Sequence, residues 1–289
     1  HQCAVLATGQ VSCWGLNSNG QVGNGTTTNN STPVLVTGIT NATAISAGAY
    51  HTCALLVTGR VSCWGDNSAG QLGNGTTTTS STPVTVTGIT NATAISAGEA
   101  HTCAVLSTGQ ISCWGSNSVG RLGNGTTTDS STPVTVTGIT NATAITAGML
   151  HTCALLATGQ TSCWGRNFAG QLGNGTTTDS STPVTVTGIT NATAISTGAY
   201  HTCALLAAGQ ISCWGINLYG ELGNGNTTKS STPVTVTGIT NAVWVTAGVS
   251  HSCALLATGK AACWGFNSYG QLGNGTTTDS STPVLVIGL

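Results

Sequence analysis

A stretch of fifteen residues returns six times in this chain at a fixed spacing, and no other feature restricts the fold so tightly. His51-Thr52-Cys53-Ala54-Leu55-Leu56-Val57-Thr58-Gly59-Arg60-Val61-Ser62-Cys63-Trp64-Gly65 recurs, with small changes, from His1, His101, His151, His201 and His251, fifty residues apart. A period of about 20–50 residues is the signature of a solenoid, a propeller or an array, because each unit buries its apolar face only against the next one.

Within the stretch, two short runs of Val, Ile, Leu and Ala flank a Thr-Gly pair, and no 3.6-residue spacing is present. It therefore reads as a β-hairpin. A three-residue turn with Gly59 in the left-handed conformation sets Leu56 opposite Arg60 and Cys53 opposite Cys63. Side-by-side cysteines on adjacent strands have the geometry of a disulfide, and the same register pairs Cys3 with Cys13, Cys103 with Cys113, Cys153 with Cys163, Cys203 with Cys213, and Cys253 with Cys263. Twelve cysteines, two per repeat, point to an oxidising compartment and so to an extracellular or cell-surface protein. Twelve reduced, buried thiols are the competing reading, and that reading leaves the constant pairing unexplained. On chain-entropy grounds each short loop so closed contributes about 2–3 kcal/mol.

The rest of the period adds two strands. Asn67 to Gly75 is a Gly/Asn-rich loop full of turn signals, followed by a polar run from Thr76 to Ser81. Pro83 to Gly88 alternates apolar and polar residues as a half-buried strand, with proline at its start where no ladder donor is needed. Asn91 to Gly98 is a fourth short strand leading into His101. Each period thus holds four strands and no helix, which is the make-up of a β-propeller blade.

These residues also resemble a known family. Gly98 through Leu106 (Gly-x-x-His-Thr-x-Ala-Val-Leu) and Gly109 through Gly125 (Gly-x-Ile-x-x-Trp-Gly-x-Asn-x-x-Gly-Arg-Leu-Gly-x-Gly) look like the regulator-of-chromosome-condensation repeat, with Arg121 where the pattern has Gln. The match runs the length of the chain. It implies a propeller, usually of seven blades, in a family that includes a nucleotide-exchange factor for a small GTPase and a secreted bacterial inhibitor of β-lactamases. The Cys pair resembles the versions in secreted bacterial proteins. The departure is in number: six hairpins are present, and the strand equivalent to Asn91–Gly98 is missing before His1 and after Leu289. One blade is therefore expected to be a strand short, its strand lying outside this sequence or supplied by a neighbouring chain. Seven blades are expected if the natural chain is longer. No signal peptide is visible, and a start in mid-repeat points to a mature or trimmed N-terminus.

Composition removes several functions. Charged residues make up 4% of the chain, with a net charge of −1, against a usual share of about 25%. Five Lys and Arg supply no footprint for phosphates, so nucleic acid is not expected as a partner, nor is an anionic membrane surface. No apolar run is long enough to insert into a bilayer.

The six copies differ from one another mainly in two places. After each Trp-Gly stand Leu16, Asp66, Ser116, Arg166, Ile216 and Phe266, followed by positions that include Asn19, Phe168, Leu218, Tyr219 and Tyr269. Before each His stand pairs that include Tyr50, Glu99, Met149, Leu150 and Tyr200. The hairpin register joins the two sets, since Tyr50 then faces Asp66, Leu150 faces Arg166 and Tyr200 faces Ile216. In a ring of blades they form one rim. All four Tyr, both Phe and the lone Met lie in this set, and Tyr, Phe, Met and Arg are enriched at protein interfaces. Neutral drift at exposed sites would not favour aromatics, which sit badly in water without a partner. The polar loop with Asp129, Asp179, Lys229 and Asp279 is a second, weaker candidate surface.

No constellation for chemistry stands out. His-x-Cys with one further Cys gives three ligands where a closed zinc site needs four, so each His reads as structural and hydrogen-bonded. His1 and Ser12 have no acid to complete a triad. The Gly-Asn-Gly loops lack the ending of a phosphate cradle. Asn-x-Ser/Thr sequons at Asn24, Asn41, Asn74, Asn91, Asn124, Asn141, Asn174, Asn191, Asn226 and Asn274 are glycan acceptors in a eukaryotic secretory pathway and turn residues otherwise. The repeated Trp14, Trp64, Trp114, Trp164, Trp214 and Trp264 read as core.

The sequence thus predicts an all-β chain, residues 1–289 forming one propeller domain of six fifty-residue repeats. It is read as a secreted or surface-exposed binding scaffold that captures a protein or a glycan on the rim, with no enzyme activity, metal or cofactor. The alternative is a structural subunit of a fibre, sheath or surface layer. It would self-associate through the open strand edge, with little charge repulsion to oppose packing.

Overall fold

The computed structural model describes residues His1–Gly288. They form two compact units, one of His1–Ala147 and one that starts at Gly148. The first carries β1 (Gln2–Val5), β2 (Val11–Gly15), β3 (Asn30–Leu35), β4 (Ala42–Ala47), β5 (His51–Leu56), β6 (Val61–Gly65), β7 (Ser80–Thr85), β8 (Ala92–Ala97), β9 (His101–Leu106), β10 (Ile111–Gly115), β11 (Ser130–Thr135) and β12 (Ala142–Ala147). The second carries β13 (His151–Leu156), β14 (Thr161–Gly165), β15 (Ser180–Thr185), β16 (Ala192–Thr197), β17 (His201–Leu206), β18 (Ile211–Gly215), β19 (Ser230–Thr235), β20 (Ala242–Ala247), β21 (His251–Leu256), β22 (Ala261–Gly265) and β23 (Ser280–Leu285). No helix occurs among the described residues.

All sheets are antiparallel meanders in chain order. In the first unit, β4 to β7 and β8 to β11 make two four-stranded blades, and β1 to β3 make a blade one strand short. β12 packs on β8 and β9. In the second unit, β13 to β15 precede two four-stranded blades, β16 to β19 and β20 to β23.

The hairpin register follows from its turn. Gly59 has φ +75°, and the Leu56 N–H donates to the Arg60 carbonyl at 2.9 Å. Cys53 therefore faces Cys63, and His51 faces Gly65. Disulfides join Cys3–Cys13, Cys53–Cys63, Cys103–Cys113, Cys153–Cys163, Cys203–Cys213 and Cys253–Cys263.

The last strand of the repeat differs from expectation. The alternation predicts Pro83 to Gly88, whereas β7 runs Ser80–Thr85. Cys63 faces Val84 while Gly65 faces Ser80, so Trp64 alone stands against residues 81–83. Pro83 sits inside this bulge, where its missing N–H interrupts no ladder bond.

The core lies between consecutive blades. Cys53, Leu55, Val61, Leu72, Val86 and Ile89 of one blade meet Ala92, Ala104 and Trp114 of the next. Gly73, at φ +68°, lets the Trp114 ring lie against the chain, since a Cβ there would come within 2.7 Å of the indole nitrogen. Trp64, Trp114, Trp164, Trp214 and Trp264 are fully buried. Trp14 departs from the core reading and is only half-buried, because no blade precedes it in the first unit.

Candidate binding surface

Each hairpin ends where its second and third strands part, and the variable positions meet there. The Asp66 N–H donates to the Tyr50 carbonyl at 2.9 Å, Arg166 to Leu150 at 2.9 Å, Ile216 to Tyr200 at 2.8 Å and Phe266 to Ser250 at 2.9 Å. The facing pairs expected from the register are thus in place.

In the first unit, Leu16 and Tyr50 are exposed, while Asn19, Asp66 and Glu99 are half-buried. The acidic residues here are partnered. Asp66 accepts from the Gln71 side-chain amide at 2.6 Å and from the Ser68 hydroxyl at 2.9 Å. Glu99 lies 3.9 Å from the buried guanidinium of Arg121. Asn19 donates its backbone N–H to the Gln21 amide oxygen at 2.9 Å. This unit offers a sparse, mostly polar surface.

The second unit is different. Phe168 and Tyr200 stand edge to face with centroids 5.3 Å apart. The Arg166 guanidinium lies 5.6 Å from the Phe168 centroid and 3.4 Å from the Asp179 carboxylate. One blade further on, Phe266 packs edge-on against Tyr219 at 4.8 Å and Tyr269 at 6.0 Å. Leu218 and Tyr269 project into solvent, at 67% and 87% exposure. Met149, Leu150 and Ile216 are half-buried beside them in chain order. Aromatics held rigid by one another and still open to solvent are what a recognition surface requires.

The polar residues around the surface have structural work. Asn67 is fully buried; its amide donates to the Thr76 and Thr78 carbonyls at 3.0 Å, and its oxygen accepts from the Leu72 N–H at 2.9 Å. It knots the Gly-rich loop, as Asn117, Asn167, Asn217 and Asn267 do in their copies. Asp129, Asp179 and Asp279, read from sequence as part of a second surface, brace the same knot by accepting from the Asn117, Asn167 and Asn267 N–H groups at 2.6–2.7 Å. The Lys229 ammonium donates to the Phe168 carbonyl at 3.3 Å. Among the sequons, Asn74, Asn124, Asn174 and Asn274 accept from the Thr two residues on, as turn residues do.

The repeated His joins blade to blade. Nε2 of His51 lies 2.8 Å from Thr102 Oγ1, and that hydroxyl donates to the Gln71 carbonyl at 2.9 Å. With its proton so committed, the hydroxyl accepts from Nε2–H, which leaves Nδ1 bare and without a partner. A proton on Nδ1 would be buried with no acceptor. Burial accordingly pushes His51 down to about 4, with nearby Asp66 opposing, and pushes His151 and His201 down to about 3. His1 bonds Thr52, not Ser12. No cluster of three or more His, Cys, Asp or Glu that could hold a metal occurs among the described residues. Among the described residues no helix is long and apolar enough to cross a membrane.

Sequence reasoning noted Arg121 as a departure from Gln without its burial, and it missed Glu221 and Trp244. Arg121 and Glu221 replace a buried Gln and are themselves buried; position in the repeat was the available signal. Burial raises the Glu221 carboxyl above the usual range, against the Tyr219 N–H that its side chain accepts. Trp244, the seventh tryptophan and outside the repeated set, is 60% exposed.

Meander blades repeated every fifty residues, bonded to one another within each unit, define a β-propeller. The comparisons agree. The RCC1-like domain family matches residues 1–289, and the chain belongs to that family. Human WBSCR16 superposes with a TM-score of 0.86 at 24% identity, over 96% of this chain and 76% of that one. Prp20p from Saccharomyces cerevisiae gives 0.86 at 23%, over 98% and 74%. The ectodomain of the receptor kinase CR4 from Physcomitrella patens gives 0.56 at 24%, over 92% and 59%. At these identities the likeness is one of fold. No curated protein sequence matches the chain.

Proposed function

We propose that residues 1–289 form one propeller domain that acts outside the cell as a non-enzymatic binding scaffold, capturing a protein on the surface made by the variable positions. The observation that carries this is the pair of aromatic clusters, Phe168–Tyr200 and Tyr219–Phe266–Tyr269, each assembled from two successive blades and left open to solvent. Six disulfides suit an oxidising compartment. The fold neighbour Prp20p is described with binding properties toward Gsp1p and histones, which supports binding as a use of this architecture. A positively charged partner of the histone kind finds little charge here, where the net is −1.

The test is a displayed library of extracellular protein domains, with a glycan panel beside it, probed with wild type and with Tyr219→Ala/Phe266→Ala/Tyr269→Ala. Protein ligands lost by the triple variant at unchanged melting temperature support the reading. Ligands retained by it, or glycans as the only hits, overturn protein capture at these residues.

A second reading is a self-assembling structural subunit. The low charge of the chain, 4% of its residues, favours it, because little repulsion opposes close packing of copies.

A further inference from the structure

One position of the repeat is Asn29, Thr79, Asp129, Asp179, Lys229 and Asp279 in the six copies. Asn29 and Thr79 accept from the Asn17 and Asn67 N–H groups at 2.8 and 3.4 Å. A neutral oxygen therefore serves to brace the knotted loop. The negative charge of Asp129, Asp179 and Asp279 is surplus to that task.

The surplus charge meets three different surroundings. Asp179 accepts from the Asn167 N–H with one oxygen, and its other oxygen lies 3.4 Å from Arg166. The same guanidinium lies over the Phe168 ring, and the Lys229 ammonium bonds the Phe168 carbonyl. The fourth copy thus has carboxylate, ring and cation together. Asp129 has Ser116 where Asp179 has Arg166, and no aromatic beside it in its own loop. Asp279 has rings but no cation.

The Asp279 site is otherwise built like the fourth copy. Oδ1 accepts from the Asn267 N–H at 2.7 Å, which leaves Oδ2 in the role of the atom that Arg166 pairs. Phe266 stands where Arg166 does and packs on Tyr219 at 4.8 Å. The loop that carries Leu218 and Tyr219 is adjacent, since Gly220 lies against Ser281. Lys229, one repeat earlier, reaches the corresponding loop of the blade before it. Among the described residues no Lys or Arg pairs with Asp279, and Lys260 sits in the turn at the other end of its hairpin. The positions of Leu218 and Asp279 are exposed in all six copies, so this openness belongs to the repeat itself.

We propose that this surface takes an arginine side chain of its protein partner, the guanidinium pairing with the Asp279 carboxylate and lying against the Tyr219 and Phe266 rings. The inference rests on the binding-scaffold reading and names the chemistry that the scaffold captures. It also joins the polar loop to the aromatic surface as one site. Guanidinium suits it because its planar fork bonds a carboxylate while its face stacks on aromatics, as Arg166 does within the chain. An exposed pair of this kind contributes little, and one covered by a docked partner contributes more. A single arginine is required, not a basic tract, for which a chain of net charge −1 has no field.

The test is selection of a displayed library of cyclic random peptides on the full chain, with Tyr219→Ala/Phe266→Ala as the counter-target. Peptides that depend on the rings are expected to share an arginine. Its replacement by citrulline, alike in shape but uncharged, is expected to weaken binding to wild type by at least about 10-fold, the size of one charge-assisted bond. On Asp279→Asn the same replacement is expected to change little. That variant keeps the brace, as Asn29 does, so its melting temperature should match wild type. Ring-dependent peptides without a shared arginine, or an equal citrulline loss on Asp279→Asn, overturn the arginine site and spare the scaffold reading. Lysine that holds the affinity of arginine overturns the guanidinium. A selection that yields no ring-dependent peptide overturns both.

Discussion

The hairpin at 51–65 and the hairpin at 251–265 are nearly the same sequence in different company. In the first, Leu55 is covered and His51 is fully buried on Thr102. In the second, Leu255 faces outward and His251 is only partly buried. The difference teaches that a repeat of this kind is half a structure. Its apolar and polar groups are satisfied by the copy that follows, and local sequence alone does not decide their burial.

Substitution at the two tryptophans gives the widest contrast. Trp64→Ala, in a joint, is expected to cost about 3–5 kcal/mol in denaturant unfolding, while Trp244→Ala stays within about 0.5 kcal/mol at concentrations where the chain is monomeric. Equal losses would erase the distinction. Cys53→Ala with Cys63→Ala is expected to cost about 2–4 kcal/mol, measurable as a lower midpoint against the same change at Cys253 and Cys263, where a partly covered hairpin has less packing to lose.

Acid separates the two hairpins further. His51, His151 and His201 have folded values near 4, 3 and 3, below the unfolded 6.5. The unfolded chain therefore binds more protons between those limits. Stability present above pH 6.5 drains away as pH falls toward 4, with a limiting slope of about 1.4 kcal/mol per pH unit for each such His. Thermal melts between pH 7 and pH 4 measure it, and a flat profile would falsify the bare-Nδ1 arrangement. The smallest effect is expected at Glu221. Its raised value means that its folded state favours the proton, so its contribution is present at low pH and lost as pH rises. Glu221→Gln should raise the melting temperature at pH 7 and leave it unchanged at pH 4.

Much of this was readable beforehand for a physical reason. A Thr-Gly turn with a left-handed glycine fixes a hairpin register, and the register fixes the disulfides and the facing variable pairs. What stayed hidden has partners far along the chain. The donors to the Gln71 carbonyl come from Thr102 and Trp114, 31 and 43 residues away, so nothing in one repeat announces the joint. Pro83 misled because proline usually opens a strand, whereas here a bulge absorbs it. The loop acids read as surface also accept from the backbone N–H groups of buried Asn residues, a bond that a single repeat's sequence does not announce. Of the binding positions, the aromatics of the second unit do cluster, while Asp66 and Glu99 already have intramolecular partners.

The forward-only pattern of the Gln carbonyl joints has an evolutionary side. Each module hands an acceptor to its successor and draws donors from nothing but that successor, so a whole module can be duplicated or deleted with every remaining joint still matched.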